Sequence, residues 1–136
     1  MSRVIERATF PDLEKEQYIA LTTFRKTGQA VATPVIFAQR LGTIYVGTRA
    51  DAGKLKRLRR SGRVTLAPCT YSGKVTGSVI AGNARILTES EESTAASSAL
   101  AKKYGVMLPL TRTAWRLLHR KAKVEEVYIA IEPISG

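Results

Sequence analysis

Residues 18–48 read "YIALTTFRKTGQAVATPVIFAQRLGTIYVGT", and the alternation in this stretch decides what kind of fold follows. Three runs rich in β-branched and aromatic residues, 18–24, 29–38 and 43–48, are separated by "RKTG" and "QRLG". Short Gly-bearing breaks between such runs are the signature of tight hairpins, so three strands in meander order are expected. Downstream, "RVTLAPCTY" (63–71) and "VTGSVIAGNARIL" (75–87) flank "SGK" as a second hairpin. Gly77 and Gly82 within the longer run suggest bulges or bends, and bent strands are how a sheet curls into a barrel.

Helical signals come later. Thr88 with Glu91 three residues on reads as a capping box, and "SEESTAASSALAKKYG" then ends in Lys102, Lys103 and Gly105 as a helix should. Pro109 suits the first turn of a second helix carrying Leu110, Ala114, Leu117 and Leu118 at helical spacing, before "VEEVYIAIEP" closes the chain as a strand. The expectation is an α+β, mainly β, single domain over 1–136 with about six strands.

Composition limits the function classes. With 44% apolar and 24% charged residues the 136-residue chain is an ordinary globular one. The start "MSRVIERATF" lacks the apolar run of a signal peptide, and no segment has the ~20 apolar residues that cross a bilayer; a cytoplasmic protein with no membrane partner is expected. Cys69 has no second cysteine to pair with and reads as a small packed side chain. His119 is the lone histidine, too isolated for a zinc site and with no evident nucleophile to serve, so no metal is expected. Nothing marks a pair of catalytic carboxylates.

Charge is the strongest compositional fact. Residues 17–88 hold twelve Lys or Arg against Asp51 alone, while the flanks nearly cancel. The densest part, "DAGKLKRLRRSGR" (51–63), admits three readings: a nucleic-acid surface, a seat for a small anion, or a solvated basic face. "GTRADAGK" fails as a phosphate-binding loop of the GxxxxGK[ST] kind because Leu55 stands where a hydroxyl residue is required. No helix-turn-helix, RNP-type motif or zinc finger accompanies the charge, so nucleic acid is not the expected partner. If Asp51 caps a helix running to about Ser61, Ala52, Leu55 and Leu58 share its buried face. Lys54 and Arg57 then share another, near the first amides, where one phosphate could be held.

Taken as a set, "TFRKTGQAVATPVIF", "TIYVGTRADAGKLKRLRRSGRVTLAPC" and "GKVTGSVIAGNARIL" resemble the pyridoxamine 5'-phosphate oxidase-like split-barrel flavin and deazaflavin reductases, most of all the branch using coenzyme F-420, an 8-hydroxy-5-deazaflavin. The resemblance covers residues 16–88 closely and the C-terminal part more loosely. It implies a six-stranded split β-barrel of the FMN-binding type with peripheral helices, and a homodimer with two cofactor sites along the subunit interface. Thr33, Pro34, Val35 and Ile36 would pass beside the deazaflavin ring; Thr48, Arg49, Lys54 and Arg57 would hold its phosphate and acidic tail. The implied activity is hydride transfer to a conjugated, fairly apolar small molecule, whose pocket would draw on the partner subunit and the segment around Trp115. FMN is the alternative cofactor and a non-catalytic cofactor carrier the alternative role. The resemblance assigns no catalytic side chain.

Overall fold

The computed structural model describes residues 4–5, 9–104 and 126–134. Its elements are β1 (Val4–Ile5), β2 (Tyr18–Phe24), β3 (Ala30–Val35), β4 (Phe37–Arg40), β5 (Thr43–Arg49), α1 (Gly53–Arg60), β6 (Arg63–Cys69), β7 (Val79–Ile86), α2 (Ser90–Lys103) and β8 (Glu126–Pro133). One sheet runs in the order β3-β2-β6-β7-β8-β5-β4, with β1 parallel to β7. The second expected helix, with His119 and Trp115, lies outside the described residues.

The strands expected at 18–24 and 43–48 form almost as read, and the reason is their period of two. Ile19 and Leu21 on β2, Ile44 and Val46 on β5, Val64 and Leu66 on β6, and Ile129 and Ile131 on β8 all enter one core. Leu55 and Leu58 join it from α1, as their spacing implied. The opposite face is covered locally by α2, where Ala96 packs with Tyr45, Leu87 and Ala130 in a second cluster. Cys69 is a buried packing residue whose thiol is held above its usual range by desolvation.

The run expected as a single strand, 29–38, is two. β3 pairs with β2, β4 pairs with β5, and only Ile36 separates them in the chain. Because β3 and β4 stand at opposite ends of the strand order, this one residue carries the chain from one sheet edge to the other. The barrel is closed by covalent continuity instead of a complete ladder. Counting 30–40 as one broken strand and leaving aside the two-residue β1, the six expected strands are present, and the architecture is a mainly β split barrel with peripheral helices.

The backbone beside the break finds its partner on α2. Tyr104, the C-cap residue, accepts the Phe37 N–H on its hydroxyl oxygen at 3.1 Å and shares its own proton between the carbonyls of Gln17 (2.7 Å) and Phe37 (3.0 Å). Burial pushes this phenol up to about 12. Close by, the Lys103 ammonium sits 3.4 Å from the centre of the Phe37 ring and 3.8 Å from Glu14.

Three local readings are corrected. Thr88 and Glu91 form no capping box: the N-cap is Glu89, without a side-chain bond. Glu92 in the first turn is instead drawn to Arg85, which donates to both its carboxylate oxygens at 2.8 and 2.7 Å and also binds Glu132. Gly82 is no bulge, since β6–β7 and β7–β8 keep register through it. A Cβ there would lie 2.8 Å from the Ile131 methyl, so glycine lets β8 approach. Gly77 precedes β7, against Pro68. In the β4–β5 turn Leu41 itself takes a positive φ of 51° beside Gly42 at 82°, the pair of left-handed residues that a tight two-residue hairpin demands. No helix among the described residues is long and apolar enough to cross a membrane.

Tyr104→Phe should cost about 1–3 kcal/mol in denaturant unfolding, because the Phe37 and Gln17 backbone groups lose their partner. The raised phenol keeps a proton in the folded state that the unfolded chain releases near its ordinary value of 10.0. Its contribution is therefore whole below about pH 10 and drains away as pH climbs toward 12. Unfolding titrations across that window should show the slope in the wild type and its loss in Tyr104→Phe.

Candidate functional site

Where the strand breaks, a groove opens. It has a volume of about 440 Å³ and is lined by Pro34, Val35 and Ile36 at the break, Gly47–Arg49 on β5, Lys54 on α1, Ser97 and Leu100 on α2, and Glu126 and Tyr128 on β8. Tyr18 at the start of β2 and Tyr71 on the β6–β7 hairpin complete it.

Of the eight residues expected at a cofactor site, Pro34, Val35, Ile36, Thr48, Arg49 and Lys54 line this groove. Thr33 does not; its hydroxyl is buried on β3 without a hydrogen-bond partner among the described residues. Arg57 does not either. Its Nε donates to the Thr23 hydroxyl at 2.6 Å, in a threonine only 1% exposed, so this arginine fastens α1 to β2. Its guanidinium also lies over Gly53, 3.1 Å from where a Cβ would stand, beside the start of α1.

The cationic end is set up by this arrangement. Partial burial, and then the neighbouring Arg57 charge, hold the Lys54 ammonium below its usual pKa range. A buried cation beside another cation gains from any anion that arrives. Arg49 has an internal partner: Nε and Nη2 donate to the two oxygens of Asp51 at 3.0 and 2.9 Å. Asp51 is therefore not the expected cap of α1; the N-cap is Ala52, with no side-chain bond. The carboxylate reaches a charged fork instead of neutral amides, and charge-assisted bonds are the stronger choice.

Beyond Thr48 and Ser97, the remaining walls are apolar or aromatic, with Glu126 the acid among the described residues there. Its carboxylate lies over Gly47, 2.8 Å from where a Cβ would stand, and Leu100 and Tyr128 are 3.4 Å from that same point. Glycine at 47 thus lets Glu126, Leu100 and Tyr128 close in over β5. Tyr18 and Tyr71 meet edge to face with ring centres 5.7 Å apart, and Tyr71 remains 78% exposed. Sequence reading missed Tyr18, Tyr71, Leu100, Glu126 and Tyr128. A tyrosine inside a hairpin turn, where no core needs it, was the available signal for Tyr71. Among the described residues no three of His, Cys, Asp and Glu gather as metal ligands would.

A family profile described as Pyridoxamine 5'-phosphate oxidase matches residues 5–133. No curated protein matches the chain by sequence. Several solved structures share the fold. The haem storage protein HutZ of Vibrio cholerae superposes with a TM-score of 0.65 at 11% identity, covering 90% of this chain and 85% of its own. An FAD-binding protein of Mesorhizobium loti gives 0.61 at 17%, covering 89% and 82%. A reductase dependent on reduced F-420 gives 0.55 at 14%, covering 97% and 100%.

The two neighbouring cations should separate on substitution. Arg57→Ala is expected to lose about 1–3 kcal/mol of stability by stranding the buried Thr23 hydroxyl, whereas Lys54→Ala should stay within about 0.5 kcal/mol of the wild type. Urea unfolding of both variants measures this.

Proposed function

The chain belongs to the pyridoxamine 5'-phosphate oxidase family, and from that premise we propose that it is an oxidoreductase using coenzyme F-420 to reduce a conjugated, fairly apolar small molecule. The observation that carries the reading is the groove at the strand break, apolar along Val35, Ile36, Leu100 and Tyr128 and cationic at Arg49 and Lys54. A ligand with a flat ring and an anionic tail matches both ends. The residues fit on a further count: Lys54 is desolvated beside Arg57.

Val35 and Ile36 would hold the ring, and Thr48, Arg49 and Lys54 the phosphate and acidic tail. When bound, the reduced deazaflavin supplies a hydride. The chain's own part is to orient ring and acceptor within contact and to exclude water from the apolar wall. Solvent supplies the proton. A long anionic tail also gives the surplus charge of residues 17–88 something to attract, since such a field raises the arrival rate of anions.

We further propose a homodimer. β3 ends the strand order, and the hairpin beside it exposes Tyr71 and Val75, an edge and an apolar patch that a second copy would cover.

Fluorescence titration of the purified protein with F-420, FMN and FAD at low and moderate salt tests the coenzyme. Saturable F-420 binding is expected, weakened by about 1.5–3 kcal/mol in Lys54→Ala, the scale of a charge-assisted contact. Affinity for FMN with none for F-420 would replace the coenzyme. Turnover of reduced F-420 with enones or quinones separates an enzyme from a carrier, and light scattering on the same samples should give twice the 14.9 kDa chain mass.

A further inference from the structure

Asp51 is the single acid among the twelve Lys and Arg of residues 17–88, and it is committed to a groove residue. Both its oxygens accept from Arg49, at 3.0 and 2.9 Å. This two-pronged pairing is also the way a guanidinium takes a ligand's phosphate or carboxylate. The side chains are 42% and 60% exposed, so the pair is weak and readily exchanged. No such carboxylate pairs with Lys54 or Arg57 among the described residues. The cations at this end of the groove are thus of two kinds: Lys54 waits for an anion, and Arg49 already holds one.

We infer that Asp51 is a specificity-determining residue, its carboxylate standing in on Arg49 for a second anionic group of the ligand and yielding that place when such a ligand binds. The inference rests on the groove being the seat of an anionic coenzyme. A ligand with one anionic group settles at Lys54 and leaves the pair intact. A ligand with two exchanges Asp51 for itself on Arg49, gaining two charge-assisted bonds while two are given up. The exchange is nearly balanced. A coenzyme that must leave after each turnover is therefore recognised by its second charge without being trapped by it, and Arg49 stays aimed while the groove is empty.

Calorimetric titration of the wild type, Asp51→Asn, Arg49→Ala and the double variant with inorganic phosphate, tripolyphosphate and F-420 tests the exchange. Asp51→Asn should tighten tripolyphosphate and F-420 by roughly two- to fivefold, the range of an exposed ion pair, and phosphate by less. In the Arg49→Ala background the same substitution should change nothing. Unaltered affinity in Asp51→Asn overturns the inference. So does an equal gain when Arg49 is absent, which is a field effect of one removed charge, or an equal gain for phosphate. Failure of every protein to bind tripolyphosphate also overturns it. The expected tripolyphosphate pattern with no F-420 affinity leaves Asp51 in its role and removes the coenzyme from the proposed function.

Discussion

The groove of this molecule follows from one stretch of chain serving two edges of a sheet. β3 and β4 are consecutive, yet one pairs with β2 and the other with β5, so the ladder has to part around Ile36. Parting leaves backbone groups that would be costly if buried without partners. At Phe37 one phenol meets both needs, accepting the N–H and donating toward the C=O. Pro34, just before the break, brings no N–H of its own and reduces the demand. The groove is the space that this parting creates.

The charge distribution gives that space a cationic end. The excess of Lys and Arg over residues 17–88 is a property of the composition, but the fold assigns those side chains different tasks. Arg57 is a bolt between helix and sheet, Arg85 ties α2 to β7 and β8, and Arg63 lies near the Phe24 ring. Lys54 and Arg49 are the two that line the groove. A basic isoelectric point is thus a poor guide to the number of cations that a ligand meets.

How far the sequence could be read follows from the range of each interaction. Strands 18–24 and 43–48 were legible because alternation is local and the core enforces it at every second residue. The break at Ile36 was not: an apolar run of ten residues looks the same whether it pairs with one neighbour or with two in succession. The Asp51 cap assignment failed because Arg49 was within reach, and a charged partner outcompetes a backbone amide. At α2 the N-cap falls one residue past Thr88, on Glu89, and the acid that Arg85 takes is Glu92 within the first turn. The groove was half legible. Segments 33–36 and 48–57 were marked through the family resemblance, and of them only Lys54 and Arg57 also through their place at the start of α1, whereas Tyr18, Leu100, Glu126 and Tyr128 arrive from elements brought together only by the closed sheet.

Helix α2 has a double attachment whose effect extends beyond stability. Ser97 and Leu100 form part of the groove wall, and four residues past Leu100 the helix ends in the phenol that mends the sheet beside Ile36. Groove width and barrel closure are therefore set by a single rigid strut. Changing what projects from the strut would alter the groove wall alone, whereas shifting the strut itself would unfasten the seam, so the chemistry of this pocket is easier to change than its girth.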